Sequence, residues 1–312
     1  MYADFTSSTI INFLQNVTSL INQSFPDVTA VMALGNHDYY PINELPGNQN
    51  VIYEAAADMW RPWFGESQTI VDTFIKGNYP IGISMLRVVV VNTNLYATNN
   101  PTTEAESDPG EQYAWIEGVL SAARTNNEKV HLIIHTSPGV MPVSSSPRWL
   151  RDVDNSKLND IIGRFSDIII GTYAGHEHFD TFRLVYKNGN PVSTIFVAPS
   201  VTPWRARLSE STRSMAHNPG IRKVFFDDDQ GYVDNIEQFF LNLPKANQDQ
   251  AAQWLRLYTF KGLYAGVNNL TSRALHQLIE SFKEYGDNDF HIYYDQFSVG
   301  ARHISNEPCS CM

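Results

Sequence analysis

Four apolar runs in the first 180 residues each stop on a polar cluster, and this punctuation constrains the fold more than any other feature of the chain. "VTAVMAL" (28–34) leads to Asn36, His37 and Asp38. "RVVVV" (87–91) leads to Asn92, Thr93 and Asn94. "KVHLII" (129–134) leads to His135, and "DIIIGTYAG" (167–175) leads to His176, Glu177 and His178. Short apolar runs rich in β-branched residues and bounded by turn formers read as buried strands. The segments around them have helical spacing. Ser7, Ser8 and Thr9 offer N-caps for a helix over 7–24, with Ile10, Leu14, Val17 and Ile21 on one stripe. Trp115, Ile116, Val119, Leu120 and Ala123 mark a second helix over 111–126, and "LNDIIGRF" (158–165) a third. Strands alternating with helices specify an α/β fold with layered helices, and in such folds functional groups gather in the loops beyond the carboxyl ends of strands.

The remaining chain sets the organisation. Residues 39–80, with "MWRPWFGE" at their centre, read as a long loop with a short helix, and the strand at 87 is expected to run to residue 96. "STIFVAPS" (193–200) and "IRKVFF" (221–226) are further strands, the second followed by the hairpin-turn signal "DDDQG". Beyond residue 240 "LNLPKANQDQAAQWLRLYTF" and "LTSRALHQLIESFKEYG" read as helices. The expected division is therefore a main domain over 1–240 and a C-terminal helical extension over 241–312.

The formal net charge of −11 argues against duplex nucleic acid or an anionic membrane surface as a partner. No apolar run approaches the roughly 20 residues of a membrane span. The first residues, "MYADFTSSTI", lack the basic and apolar regions of a signal peptide. Cys309 and Cys311, in "NEPCSCM", are the two cysteines. They are awkward partners for each other and read either as pairing elsewhere or as part of a solvated tail. Three sequons, at Asn16, Asn22 and Asn269, suit a secreted glycoprotein. Nothing in the sequence fixes an oligomeric state.

A single histidine at a strand end is more often a hydrogen-bonded structural residue than a ligand. Three histidine-bearing strand ends, one of them an H-x-H, point instead to metal, because neutral imidazole is a common ligand of borderline ions. The order "GNHD", then "HTSPG", then "GHEH" matches the second half of the calcineurin-like metallophosphoesterase signature. With "ALGNHDYYP", "VNTNLY", "DPGEQYAWIEGVL", "FVAPSVTP" and "NPGIR" in the same order, the chain resembles the acid sphingomyelinase and acid sphingomyelinase-like phosphodiesterase family from about residue 7 to the C-terminus. The resemblance implies a β-sandwich flanked by helices, with two metal ions, usually zinc, at one edge. It implies that Asn36, His135 and His176 hold the second ion and His178 the first. It places His37 at the substrate, stabilising phosphoryl oxygens or protonating the leaving alkoxide. Asp38 would orient His37; a plain turn-capping carboxylate is the other reading. Glu177 is expected to be a solvent-facing spacer. Two metals about 3.5–4 Å apart neutralise phosphoryl oxygens and supply a nucleophilic water.

The family pattern also has a D-x-H and a G-D motif upstream of "GNHD". Before Gly35 the acidic residues are Asp4 and Asp27, with no histidine and neither motif. The expected strand neighbour that would carry them is missing too, which leaves a sheet edge exposed. The implied function is metal-dependent hydrolysis of nucleotide, small phosphodiester or sphingomyelin-like substrates, impaired in this chain, with one zinc ion or none. The alternative is a secreted, non-catalytic binding protein of the same fold. The resemblance implies an extracellular or lysosomal location. A third reading takes "HEHFD" as the H-x-H-x-D of metallo-β-lactamase-type hydrolases. It fails at Thr181, where a further histidine usually follows, and leaves "GNHD" unexplained.

Overall fold

The computed structural model describes residues 5–65, 67–74, 78–83, 86–140, 148–207, 214–264, 266–284 and 288–301. Cys309 and Cys311 lie outside them. The chain divides into two compact units, Met1–Val140 with Pro147–Thr172, and Met141–Ser146 with Tyr173–Met312.

The first unit opens with α1 (Ser7–Ser24). Its N-cap is Thr6, one residue before the expected candidates: Thr6 Oγ1 accepts the Thr9 amide and Thr9 Oγ1 accepts the Thr6 amide, each at 3.3 Å. Such reciprocal capping satisfies two otherwise orphaned donors. The buried stripe also differs from the expected one. Ile10 and Leu14 are buried, but Val17 is exposed together with Phe13 and Leu20. The cause is an indole–hydroxyl bond: Trp60 Nε1 donates to Thr18 Oγ1 at 2.9 Å, so the inward row runs through residues 10, 14 and 18 and turns Val17 outward.

Residues 28–34, expected as a strand, carry no strand pairing. Here a side chain takes the place of a ladder partner. The Tyr79 hydroxyl accepts from the Met32 amide at 2.8 Å and donates to the Met32 carbonyl at 2.6 Å.

The stretch 39–80 is more ordered than a loop. It contains α2 (Val51–Trp60), capped by Asn50 Oδ1 on the amides of Ile52 and Tyr53, and α3 (Gln68–Phe74). Its aromatic residues form core: Trp60, Phe64, Phe74 and Tyr79 meet with ring centroids between 4.8 and 5.7 Å apart. Then come β1 (Tyr79–Ile83), β2 (Leu86–Val91), α4 (Gln112–Thr125), β3 (Lys129–Ile134), α5 (Asp152–Arg164) and β4 (Ile169–Ala174). β1 is antiparallel to β2, and β2 is parallel to β3 with Val91 opposite Ile134. The Val130 amide donates to the Ile168 carbonyl just ahead of β4, at 2.8 Å. This is the mixed α/β architecture with flanking helices that the strand pattern predicts.

β2 stops at Val91, short of residue 96, because Asn92–Tyr96 fold into a buried turn held by amides. Gln112 is the hub: its Oε1 accepts the Asn92 amide at 2.7 Å, and its Nε2 donates to the Asn92 carbonyl at 3.1 Å and to the Tyr96 hydroxyl at 2.8 Å. Asn94 Nδ2 donates to the Leu34 carbonyl at 2.8 Å. The Asn92–Asn94 cluster is thus scaffold beneath the first polar turn.

In the second unit the Ala198 amide donates to the Ala174 carbonyl at 2.8 Å. β5 (Thr181–Lys187) and β6 (Asn190–Val197) form an antiparallel hairpin. Asn188 and Gly189, both at positive φ, make the turn, as the twist of a two-residue hairpin demands. β7 (Trp204–Arg207) pairs with β8 (Ser214–His217). β9 (Gly220–Phe226), β10 (Val233–Leu241) and, after α6 (Leu243–Asp249), β11 (Trp254–Thr259) make a three-stranded antiparallel sheet. The turn between β9 and β10 is the one predicted from "DDDQG"; Asp227 accepts from the amides of Gln230 and Tyr232.

"WLRLYT" is a strand where a helix is expected. Its apolar and aromatic side chains pair along β10, and the added contacts override weak helical spacing. The boundary expected near residue 240 falls inside β10, whose partners lie on both sides of it. α7 (Phe260–Leu263), α8 (Ser272–Ser281) and α9 (Asn288–Phe297) follow. Phe182 and Phe196 of the hairpin share one core with Val233, Ile236 and Tyr258 of the three-stranded sheet and Leu275 and Leu278 of α8. That layering is a sandwich with a helix against it.

Asn94→Ala is expected to cost about 1–3 kcal/mol, because it removes a buried donor from the Leu34 carbonyl. Urea unfolding monitored by tryptophan fluorescence measures this. A loss under about 0.5 kcal/mol would show that the amide does not hold the turn.

Candidate functional site

The first polar turn is built on backbone closure. Asp38 Oδ2 accepts the Gly35 amide at 2.8 Å, and the Asp38 amide donates to the Gly35 carbonyl at 3.0 Å. Asp38 therefore caps the turn that carries Asn36 and His37. Burial pushes its carboxyl above the usual range, while the Gly35 N–H and the nearby His37 oppose that rise. His37 itself is exposed.

His135, the residue after β3, reaches this turn. Its Nε2 lies 2.9 Å from Asn36 Oδ1. Gly35 makes the approach possible: a Cβ there would sit 2.8 Å from His135 Cε1 and 3.1 Å from both ring nitrogens. The backbone beyond His135 is fixed by the Thr136 amide donating to Thr93 Oγ1 at 2.8 Å. A cavity of about 280 Å³ opens beside His37 and Asp38, walled by Phe13, Leu14 and Val17 of α1 and by Met32.

The second unit carries His176 and His178 on the turn after β4. Both have left-handed backbone, with φ of 67° and 68°, a conformation that L-residues adopt at a cost. Between them Glu177 is 1 % exposed and ion-paired to Arg183 of β5. This corrects the expectation of a solvent-facing spacer. Two left-handed residues in alternation send the middle side chain inward, where Arg183 neutralises it.

Further anchors follow directly. The Ser200 amide donates to the His178 carbonyl at 3.2 Å, and Phe179 stacks on Phe297 at 4.5 Å. Asp180 is buried against Arg222 and accepts from the Tyr258 hydroxyl at 2.6 Å. An aspartate so engaged is structural, which removes the reading of "HEHFD" as an H-x-H-x-D ligand set.

His217 was not singled out by sequence pattern. Its ring meets that of His178 edge-on at 6.1 Å, and its Nδ1 lies 2.9 Å from the Asn218 carbonyl. Burial lowers its pKa, against the effect of that carbonyl, and favours neutral imidazole. The neighbouring "NPGIR" was the available signal.

Asn36, His37, Asp38 and His135 thus belong to the first unit, His176 and His178 to the second. Among the described residues, no three His, Cys, Asp or Glu side chains gather into a group that would hold a metal ion. The donor pair present is an amide oxygen and an imidazole nitrogen, both partly exposed, over a backbone position with no Cβ. Those two atom types suit a borderline divalent ion.

Residues 190–312 match a family model described as the acid sphingomyelin phosphodiesterase C-terminal region. The chain is 34% identical to the rat (Rattus norvegicus) cyclic GMP-AMP phosphodiesterase SMPDL3A, over 98% of this chain and 68% of that protein. It is 34% identical to the mouse (Mus musculus) acid sphingomyelinase-like phosphodiesterase 3b, over 96% of this chain and 66% of that protein. A bovine (Bos taurus) sphingomyelin phosphodiesterase is 29% identical, over 95% of this chain and 46% of that protein. The chain belongs to the acid sphingomyelinase-like phosphodiesterase family. It spans about two thirds of the length of its SMPDL3A and 3b relatives. Its family is one of phosphoric diester hydrolases.

Gly35→Ala tests the geometry. The added methyl must push the His135 ring away from Asn36, so the His135 ring resonances are expected to shift, with a stability loss of about 1–3 kcal/mol. Unchanged His135 signals in the NMR spectrum of the variant would refute the close packing of ring on backbone.

Proposed function

We propose that this chain carries out metal-assisted phosphodiester hydrolysis and that zinc is the ion it uses. The observation that carries this reading is the convergence of Asn36 Oδ1 and His135 Nε2 at 2.9 Å beside the exposed His37. Asn36 and His135 are the residues of the first unit that would hold metal, and His176 and His178 are the candidates in the second unit. When bound, the metal would neutralise phosphoryl oxygens and lower the pKa of a bound water. His37 stands in the open at the edge of this pair. It contacts a phosphoryl oxygen or delivers a proton to the leaving oxygen, as a positioned imidazole can near neutral pH. Asp38 acts through the backbone, since its carboxylate closes the turn that presents His37.

Neither unit's proposed donors include a carboxylate. Residues 1–312 by themselves are therefore proposed to hold zinc weakly and to turn over slowly. Nucleotide diesters are the first substrate class to test, given the relatives named cyclic GMP-AMP phosphodiesterase. The half-exposed Tyr40 next to the site offers a ring face for a base. A sphingomyelin-like diester is the second reading, favoured by the apolar cavity that opens beside His37.

A secreted or lysosomal glycoprotein fits the three sequons. Asn16, Asn22 and Asn269 are all exposed, and no described helix is long and apolar enough to cross a membrane. Expressed through a secretory pathway, the protein is expected to lose mass on treatment with an N-glycosidase, in steps that the single Asn→Gln variants at 16, 22 and 269 remove. A mass unchanged by the enzyme would count against secretion.

The activity test uses bis-p-nitrophenyl phosphate with zinc. Slow hydrolysis is expected, lost at least tenfold in His37→Ala, as removal of a general acid implies, with zinc uptake retained. His176→Gly, which keeps the left-handed backbone and removes the donor, is expected to weaken zinc binding. Turnover that survives His37→Ala would sink the assignment of His37. Zero equivalents of bound zinc in the unmodified chain would favour a non-catalytic binding protein instead.

A further inference from the structure

We propose that Asn43 is a positioning residue that determines which end of the Asn36 amide faces His135. The inference rests on the metal-assisted reading above and adds the device that makes Asn36 usable as a ligand.

A side-chain amide has two ends of nearly equal shape, and a half-turn about χ2 exchanges them. Only the oxygen end can donate electrons to a cation; the NH2 end repels one. A ligand asparagine therefore needs a neighbour that fixes its rotation. Asn43 is such a neighbour, and it grips Asn36 twice. The Asn43 amide N–H donates to the Asn36 carbonyl at 3.0 Å. Asn43 Oδ1 accepts from Asn36 Nδ2 at 2.8 Å. With Nδ2 committed to that acceptor, Oδ1 points at His135 Nε2, 2.9 Å away. The loop of residues 36–43 is closed by these two bonds.

The backbone supports the same assignment. Asn43 has φ of 70°, in the left-handed region, where asparagine and glycine are the residues most readily accommodated. The next amide, of Glu44, donates to the Pro41 carbonyl at 3.1 Å, which holds the turn. Residue type and conformation at position 43 thus agree: the chain needs a short side chain with an acceptor, on left-handed backbone.

Two substitutions separate the acceptor from the backbone. Asn43→Gly keeps the left-handed conformation and the main-chain bond but removes the acceptor. Asn43→Asp keeps the acceptor and has no donor end, so it enforces the same rotation of Asn36. The full chain of residues 1–312 is titrated with zinc in each form. Asn43→Gly is expected to weaken zinc binding about 10–100-fold, the usual effect of losing a residue that orients a ligand. Asn43→Asp is expected to stay within about threefold of the unmodified chain.

The second readout needs no metal. In the zinc-free protein the Asn36 Nδ2 protons are expected to exchange slowly in the unmodified chain and in Asn43→Asp, and faster in Asn43→Gly. Unchanged exchange together with unchanged zinc affinity in folded Asn43→Gly would overturn the proposal. So would a loss above tenfold in Asn43→Asp, a result that stands even where the glycine variant does not fold. If the unmodified chain takes up no zinc, the metal-assisted function fails, and the exchange rates still decide the role of Asn43.

Discussion

The closeness of the His135 ring to the backbone of Gly35 is the constraint on which the first unit's site depends. An imidazole can lie that near only a residue without a side chain. The contact joins the end of β3 to a turn 99 residues earlier in the chain, at Asn36. The hydrogen bonds around it hold the end of β3 and this turn in place. Asn94 holds the Leu34 carbonyl, Thr93 holds the amide after His135, and Gln112 holds the turn to which both belong. These are buried hydrogen bonds, and their loss would leave polar groups without water or partner. The scaffold under the site is polar for this reason, although the sheet it caps is apolar.

The second unit solves a related problem with charge. Its histidine turn is held from behind by Glu177 on Arg183 and by Asp180 on Arg222 and Tyr258. Paired charges in a buried setting are a weak source of net stability, but removing one partner is costly. The arrangement therefore fixes the loop more than it strengthens the fold. Stacking of Phe179 on Phe297 adds an apolar anchor from α9.

Much of the fold was legible because burial leaves a simple mark. β2, β3 and β4 are predominantly apolar, β-branched runs, and α4 and α5 show helical spacing, so their existence followed from side-chain pattern. Three of the failures share one cause: side-chain interactions that a pattern of apolar residues cannot reveal. The Tyr79 hydroxyl took over the backbone groups of Met32 and left no ladder at 28–34. Trp60 on Thr18 rotated α1 away from its expected stripe. Arg183 drew Glu177 inward. The site residues were legible as types at strand ends, and the pairing of Asn36 with His135 is where the structure brings two of them together. The grip of Asn43 on Asn36 was invisible, because an asparagine seven residues on in a turn carries no periodic signal.

The left-handed backbone at His176 and His178 bears on how this loop can vary. A β-branched or bulky residue at either position would meet its own carbonyl oxygen, at a cost of roughly 1–2 kcal/mol. Loss of the imidazole and loss of the conformation are then confounded in an alanine scan. Asparagine and glycine are the replacements that the backbone tolerates, and glycine, which brings no ligating atom, reports on loss of the ring. The same restriction narrows the paths by which the loop could drift in sequence: a chain abandoning its histidines would pass first through those two residues.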